Sequence, residues 1–291
     1  MDNGKSCMIH PMKRFLRYAI LLCLFLVPGI FAGCEDTDWW LAADAGLDAV
    51  KAVTLSDEEV TQLAVRASRQ SDAKHRIAPD QSPYARRLYS LVPRQYRFDN
   101  LTYNIKVYLS PTVNAFAMAD GTIRIYTGLM DMLDDEELMF VVGHEMGHVA
   151  QKHIKKKIMV AYAGRAVRKG IASQENAAGD IARSVLGGIL ESLLNAQFSQ
   201  QEEREADDFG LLFIHDQSIN PSKAVSALKK LATLGNSHSF LSSHPAPAAR
   251  AKRLYAQIQR PAADQISRLD EKDSSGWLDR LMTWIKGLMF G

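Results

Sequence analysis

Cysteine is nearly absent from this chain. Of its three cysteines, Cys7 and Cys23 lie in an N-terminal leader-like stretch and Cys34 closes it. Removal of that stretch leaves a single thiol, which excludes an intramolecular disulfide; stability must then come from packing or from a metal. A strong charge of one sign is missing too. The formal net charge is +2, and residues 1–33 contribute Lys5, Lys13, Arg14 and Arg17 against Asp2 alone, so a processed chain carries one more acidic than basic residue. That balance argues against the basic face a nucleic-acid binder needs, and no nucleic-acid partner is expected. The apolar run from Ala19 to Gly33 is shorter than the roughly 20 residues that cross a bilayer as a helix. There is no Gly-rich, Lys-bearing phosphate loop, so ATP hydrolysis is not expected to drive this protein. Internal repeats are also lacking.

What is there belongs to a globular protein: 291 residues, 47% hydrophobic and 23% charged, enough to bury a full core. Lys13, Arg14 and Arg17 precede the Ala19–Gly33 run, and this order of basic, apolar and small residues is that of a secretory signal. The ending Phe31-Ala32-Gly33-Cys34 resembles a bacterial lipobox, with Phe31 where Leu is usual. It predicts acylation at Cys34 and export to the cell envelope. The expected organisation is a lipoprotein-type signal over 1–33, a tether over 34–54, the main domain over 55–260, and a linker with a terminal helix over 261–291.

Ser56 with Glu59 reads as a capping box opening a helix to about Arg69, and Ser82 to Leu91 reads as a short helix before Pro93. Ile105 to Leu109 and Ile123 to Tyr126 have strand composition. Asn114 to Met118 lead into Asp120-Gly121, a hairpin signal. From Asp135 onward the pattern is helical, with a Gly- and Ala-rich stretch from Gly164 to Gly188 that has no clear period. The expected class is α+β, mostly helical with a small antiparallel sheet.

Inside the helix expected over Asp135–Lys157 sits His144-Glu145-Met146-Gly147-His148. Residues four apart on a helix share a face, so the two imidazoles can bind one Zn²⁺ while Glu145 lies beside the water the ion activates. Glu145 is thereby the candidate general base. His153, nine residues after His144, falls about half a turn out of phase and is expected on the polar face with Lys152 and Lys156. A third ligand is sought in Glu202-Glu203-Arg204-Glu205-Ala206-Asp207. Glu203 and Asp207 share a face beside Ala206, Phe209 and Phe213, whereas Glu205 points about 200° away. Glu203 is the expected ligand and Asp207 the carboxylate that orients a histidine, with Glu202 and Glu205 read as a solvated face.

These residues, with HPAPAAR at 244–250, VNAFAMADGTIRIYTGLMDML at 113–133 and NAQFSQ at 195–200, resemble the zinc endopeptidase family that includes HtpX, the Oma proteases and the CAAX prenyl proteases, and within it the lipoprotein proteases of bacterial envelopes. The resemblance runs from about Leu55 to Tyr255. It implies a zincin-type fold, one zinc held by His144, His148 and Glu203, Glu145 as base and Asp207 as supporting acid. It adds His244 and Arg250 to the site, His244 either stabilising the oxyanion or acting as a fourth, inhibitory ligand. It also implies that Asn114, Ala115, Phe116 and Ala117 form an edge strand that aligns substrate as an added β-strand. The implied substrates are misfolded or unassembled envelope proteins, and the implied place is the outer membrane rather than the inner. A lipoprotein acting mainly as a chaperone, its protease fold kept latent, is the alternative.

The stretch Gly276 to Phe290 lies outside this resemblance. Trp277, Leu278, Leu281, Met282, Trp284, Ile285, Leu288 and Met289 recur at helical spacing. The helix they predict either packs on the domain or lies on the bilayer, which its two tryptophans favour.

Overall fold

A computed structural model describes residues 38–98, 101–173, 197–235 and 239–259. The leader, the lipobox Cys34, much of the Gly- and Ala-rich stretch and the C-terminal helix expected at 276–290 lie outside the described residues.

The chain divides into two compact units, Met1–Asp48 with Arg165–Leu186, and Ala49–Gly164 with Gly187–Gly291. The smaller holds the start of α1 (Trp39–Thr54) and the end of α6 (His153–Ala172), so most of the segment expected as a tether is a helix. Within this unit the amine of Lys169 sits 2.5 Å from Asp44 and 2.7 Å from Asp48.

The larger unit carries the expected machinery. In α2 (Asp57–Lys74), Ser56 and Glu59 form the capping box, and in α3 (Pro83–Leu91) the Ser82 side chain caps the helix. Four strands follow, β1 (Gln95–Phe98), β2 (Leu101–Tyr108), β3 (Ala115–Ala117) and β4 (Thr122–Tyr126), ordered β1-β2-β4-β3. The hairpin at Asp120-Gly121 joins β3 to β4 antiparallel, with Gly121 at φ +82° where a side chain would strike the Thr102 carbonyl. β2 and β4, however, run parallel, with Ile105 opposite Ile123, so the sheet is mixed. The segment 109–121 makes β4 return alongside β2 in the same direction, which composition does not reveal. β3 is left as an edge strand beside the site.

The remaining elements of this unit include α4 (Thr127–Met132), α5 (Asp135–Ala150), α7 (Gln200–Asp216), α8 (Ser222–Leu231), a 3₁₀ turn (Ala232–Leu234), α9 (Ser239–Ser243) and α10 (Pro247–Ile258). α5 is buried at every position from Glu137 to Val149, its polar residues Glu137, His144, Glu145 and His148 included. α7 packs against α5 more extensively than any other described helix pair. Two glycines permit this approach: a Cβ on Gly143 would come within 2.6 Å of Phe213, and one on Gly147 within 2.9 Å of Phe209. Tyr103, Ile105, Ile123, Phe140, Phe209 and Phe213 fill the space between sheet and helices.

Sequence periodicity predicts one helix over Asp135–Lys157, and the structure breaks it. α5 ends at Ala150, and Lys152 takes φ +55°, a left-handed conformation that costs a residue with a Cβ about 1–2 kcal/mol. α6 then starts afresh at His153.

Candidate metal centre

His144 and His148 stand one turn apart on α5, fully buried, their Nε2 atoms 3.1 Å apart. α7 brings Glu203 to them, with carboxylate oxygens 3.7 Å from His144 Nε2 and 3.4 Å from His148 Nε2. His244, between α9 and α10, completes the group: its Nδ1 lies 3.0 Å from Glu203 and 3.3 Å from His144 Nε2. One atom from each of these four residues falls within 4.8 Å of all the others. Such a cluster can hold a metal ion.

The donor chemistry fits one. His144 Nδ1 is 3.1 Å from Asp207 Oδ1, which keeps the ring hydrogen on Nδ1 and turns the Nε2 lone pair inward. Inward lone pairs facing a buried carboxylate make an oxygen–nitrogen cage suited to a small divalent cation. The pKa directions agree. Burial pushes the Glu203 carboxyl up, but Arg250, His244 and His148 outweigh it and hold it well below the usual range. Burial drives His148 down, so its ring stays neutral and able to ligate.

Arg250 binds this set together. Its Nε and Nη2 meet Asp207 at 3.0 and 2.5 Å, and Nη1 contacts Glu203. Burial raises the Asp207 carboxyl, and Arg250 with His144 more than offsets this. Glu145 is not in the ligand cluster. One of its oxygens is buried without a hydrogen bond, 3.5 Å from His244 Nε2, and faces a cavity of about 300 Å³. That cavity is also lined by Asn114, Ala115, Phe116 and Ala117, so the expected substrate strand borders the centre.

Two expectations are overturned. His153 is wholly buried, not on a polar face, and its Nδ1 lies 3.0 Å from His148 Nδ1. Glu205 is not merely solvated, since its Oε2 accepts from His153 Nε2 at 2.8 Å. The cause is the break at Lys152: half a turn out of phase applies only to an unbroken helix. No Gly or Pro marks the break in the sequence. The structure adds two further neighbours. Phe198 stacks on His148 with centroids 3.8 Å apart, and Lys157 lies over Phe198, its amine brought down to about 8 by burial. Phe198 lies within the NAQFSQ segment, but only the folded chain places it on the ring.

Residues 80–258 match Peptidase family M48. The chain belongs to peptidase family M48. It is 40% identical over 254 residues to metalloprotease LoiP of Escherichia coli K12, covering 86% of this chain and all of that protein. It is 36% identical to metalloprotease YcaL of the same organism over 82% of this chain and 96% of that one. Mitochondrial metalloendopeptidase OMA1 of Arabidopsis thaliana is 29% identical over 54% of this chain and 32% of its own length. M48 is a family of metalloproteases, and the buried cluster of His144, His148, Glu203 and His244 could hold the metal that such a family uses.

Proposed function

We propose that this chain is a zinc-dependent, ATP-independent endopeptidase of the bacterial cell envelope that cuts misfolded or unassembled proteins. The observation that carries it is the placing of His144, His148 and Glu203 beside Glu145 at a cavity bordered by the edge strand β3. His144, His148 and Glu203 hold the zinc, which when bound supplies a Lewis acid that acidifies water and polarises a carbonyl. Glu145 takes the proton from the attacking water and returns it to the leaving amine, so the peptide bond breaks with one water consumed. β3, at the sheet edge, offers its outer side to an extended peptide, a recognition that depends little on side chains and suits unfolded segments. Asp207 and Arg250 hold the His144 ring and the Glu203 carboxylate in place.

His244 supports a second, latent state of the same enzyme, or a lipoprotein that acts mainly as a chaperone. Its Nδ1 joins the ligand cluster and can fill the position water needs. The envelope reading rests on the signal-like leader and Cys34. α1, starting five residues after Cys34, exposes Trp40, Leu47, Val50 and Val53, apolar side chains suited to a membrane surface. No described helix is long and apolar enough to cross a membrane.

The test is the purified Glu145→Gln protein against casein. Zinc content should stay at wild type while cleavage is lost, and near-wild-type cleavage would overturn the mechanism.

A further inference from the structure

Outside the ligand cluster, His153 is the one fully buried histidine among the described residues, and it lies in line between a ligand and the protein surface. Its Nδ1 faces His148 Nδ1 at 3.0 Å and its Nε2 faces Glu205 Oε2 at 2.8 Å. Glu205 is about a third exposed, and its other oxygen accepts from Gln201 at 2.7 Å. The hydrogens in this row can be assigned. Glu205 is an acceptor, so His153 Nε2 carries its hydrogen and His153 Nδ1 offers a lone pair. That lone pair accepts from His148 Nδ1–H, which leaves His148 Nε2 as the bare nitrogen turned toward Glu203.

We propose that His153 and Glu205 form a positioning relay that fixes the tautomer and orientation of His148 for zinc. The proposal rests on reading the cluster as a zinc site. The relay is the counterpart of Asp207 on His144: each ring meets the ion through Nε2 and is held through Nδ1. The two arms differ because of helix phase. Asp207, four residues after Glu203 on α7, reaches His144 directly. Glu205 points to the other side of α7 and acts on the centre only through an intermediary, which the restart of the chain at His153 supplies. A strained, left-handed Lys152 just before His153 is accounted for by this placement.

The experiment uses the purified full-length mature protein, with zinc affinity measured by competition against a chelator and the melting temperature measured without metal. His153→Leu should weaken zinc binding about 10–100-fold. His153→Asn should recover most of the affinity, since its amide oxygen falls near Nδ1 and accepts from His148. Glu205→Leu, at a partly exposed position that folding tolerates, should weaken zinc binding on its own yet add nothing in the His153→Leu background, because it acts through His153. Unchanged affinity in His153→Leu and Glu205→Leu would overturn the relay. So would equal losses in His153→Leu and His153→Asn that track a lower metal-free melting temperature, because packing alone would then explain them. A wild-type protein that takes up no zinc would overturn the underlying reading of the centre, a result distinct from either.

Discussion

Arg250 grips Asp207 with two nitrogens, Nε at 3.0 Å from Oδ2 and Nη2 at 2.5 Å from Oδ1, in a fork geometry that only a guanidinium provides. The pair is buried, and Arg250 also contacts Glu203, so one cation answers two buried carboxylates from α7. Arg250→Met should therefore destabilise the metal-free protein by roughly 3–5 kcal/mol, because two buried carboxylates lose the buried cation that contacts both of them. Arg250→Lys should recover only part, since an ammonium cannot make the fork. Urea denaturation of the metal-free variants checks both, and a loss below about 1 kcal/mol in Arg250→Met would show that the carboxylates need no cation.

His244→Ala separates the two roles left open for this histidine. Its Nδ1 stands 3.0 Å from Glu203 and 3.3 Å from His144 Nε2, inside the ligand cluster, which favours the inhibitory fourth ligand. Basal casein cleavage should rise on substitution. A fall of roughly 10²-fold or more would instead assign His244 to the oxyanion.

Gly147 sits where α5 and α7 touch, and a methyl there would press within 3.0 Å of Ala206 Cα and 2.9 Å of Phe209 Cβ. Gly147→Ala should cost about 1–3 kcal/mol by overpacking. It should also lower zinc affinity, because α7 carries Glu203. Thermal denaturation and metal titration on the same variant read the two effects, and a variant as stable and as zinc-competent as wild type would show that the helices can separate freely.

Acid should weaken the metal-free fold before the carboxylates titrate. Burial lowers the pKa of both His148 and His153 below the ordinary histidine value of 6.5. Below that value the unfolded chain takes up protons that the folded chain refuses, so stability falls as pH drops from 6.5 toward the folded-state values. Urea midpoints measured without metal at pH 7.5 and pH 5.5 should show the decline. Replacing His153 with Leu should reduce it, and a midpoint independent of pH across that interval would contradict the neutral, buried state of these rings.

Local spacing alone determined a good part of this site. A spacing of four residues, close to one helical turn, put His144 with His148 and Glu203 with Asp207, and the structure keeps both pairs on common faces because α5 and α7 are regular helices across those positions. The capping residues Ser56 and Ser82 and the hairpin at Gly121 were equally legible, since caps and turns are set by a few neighbouring residues. Tertiary structure decided the rest. The parallel pairing of β2 with β4, the grip of Arg250 and the stacking of Phe198 on His148 depend on segments far apart in the chain. His153 is the sharpest case. Its sequence position predicts the solvent side of a continuous helix, but a residue with no Gly or Pro character, Lys152, is held left-handed by its surroundings and redirects the chain. Periodicity carries phase only while the helix is unbroken, and whether it breaks there is settled by packing and by the buried hydrogen bonds of His153.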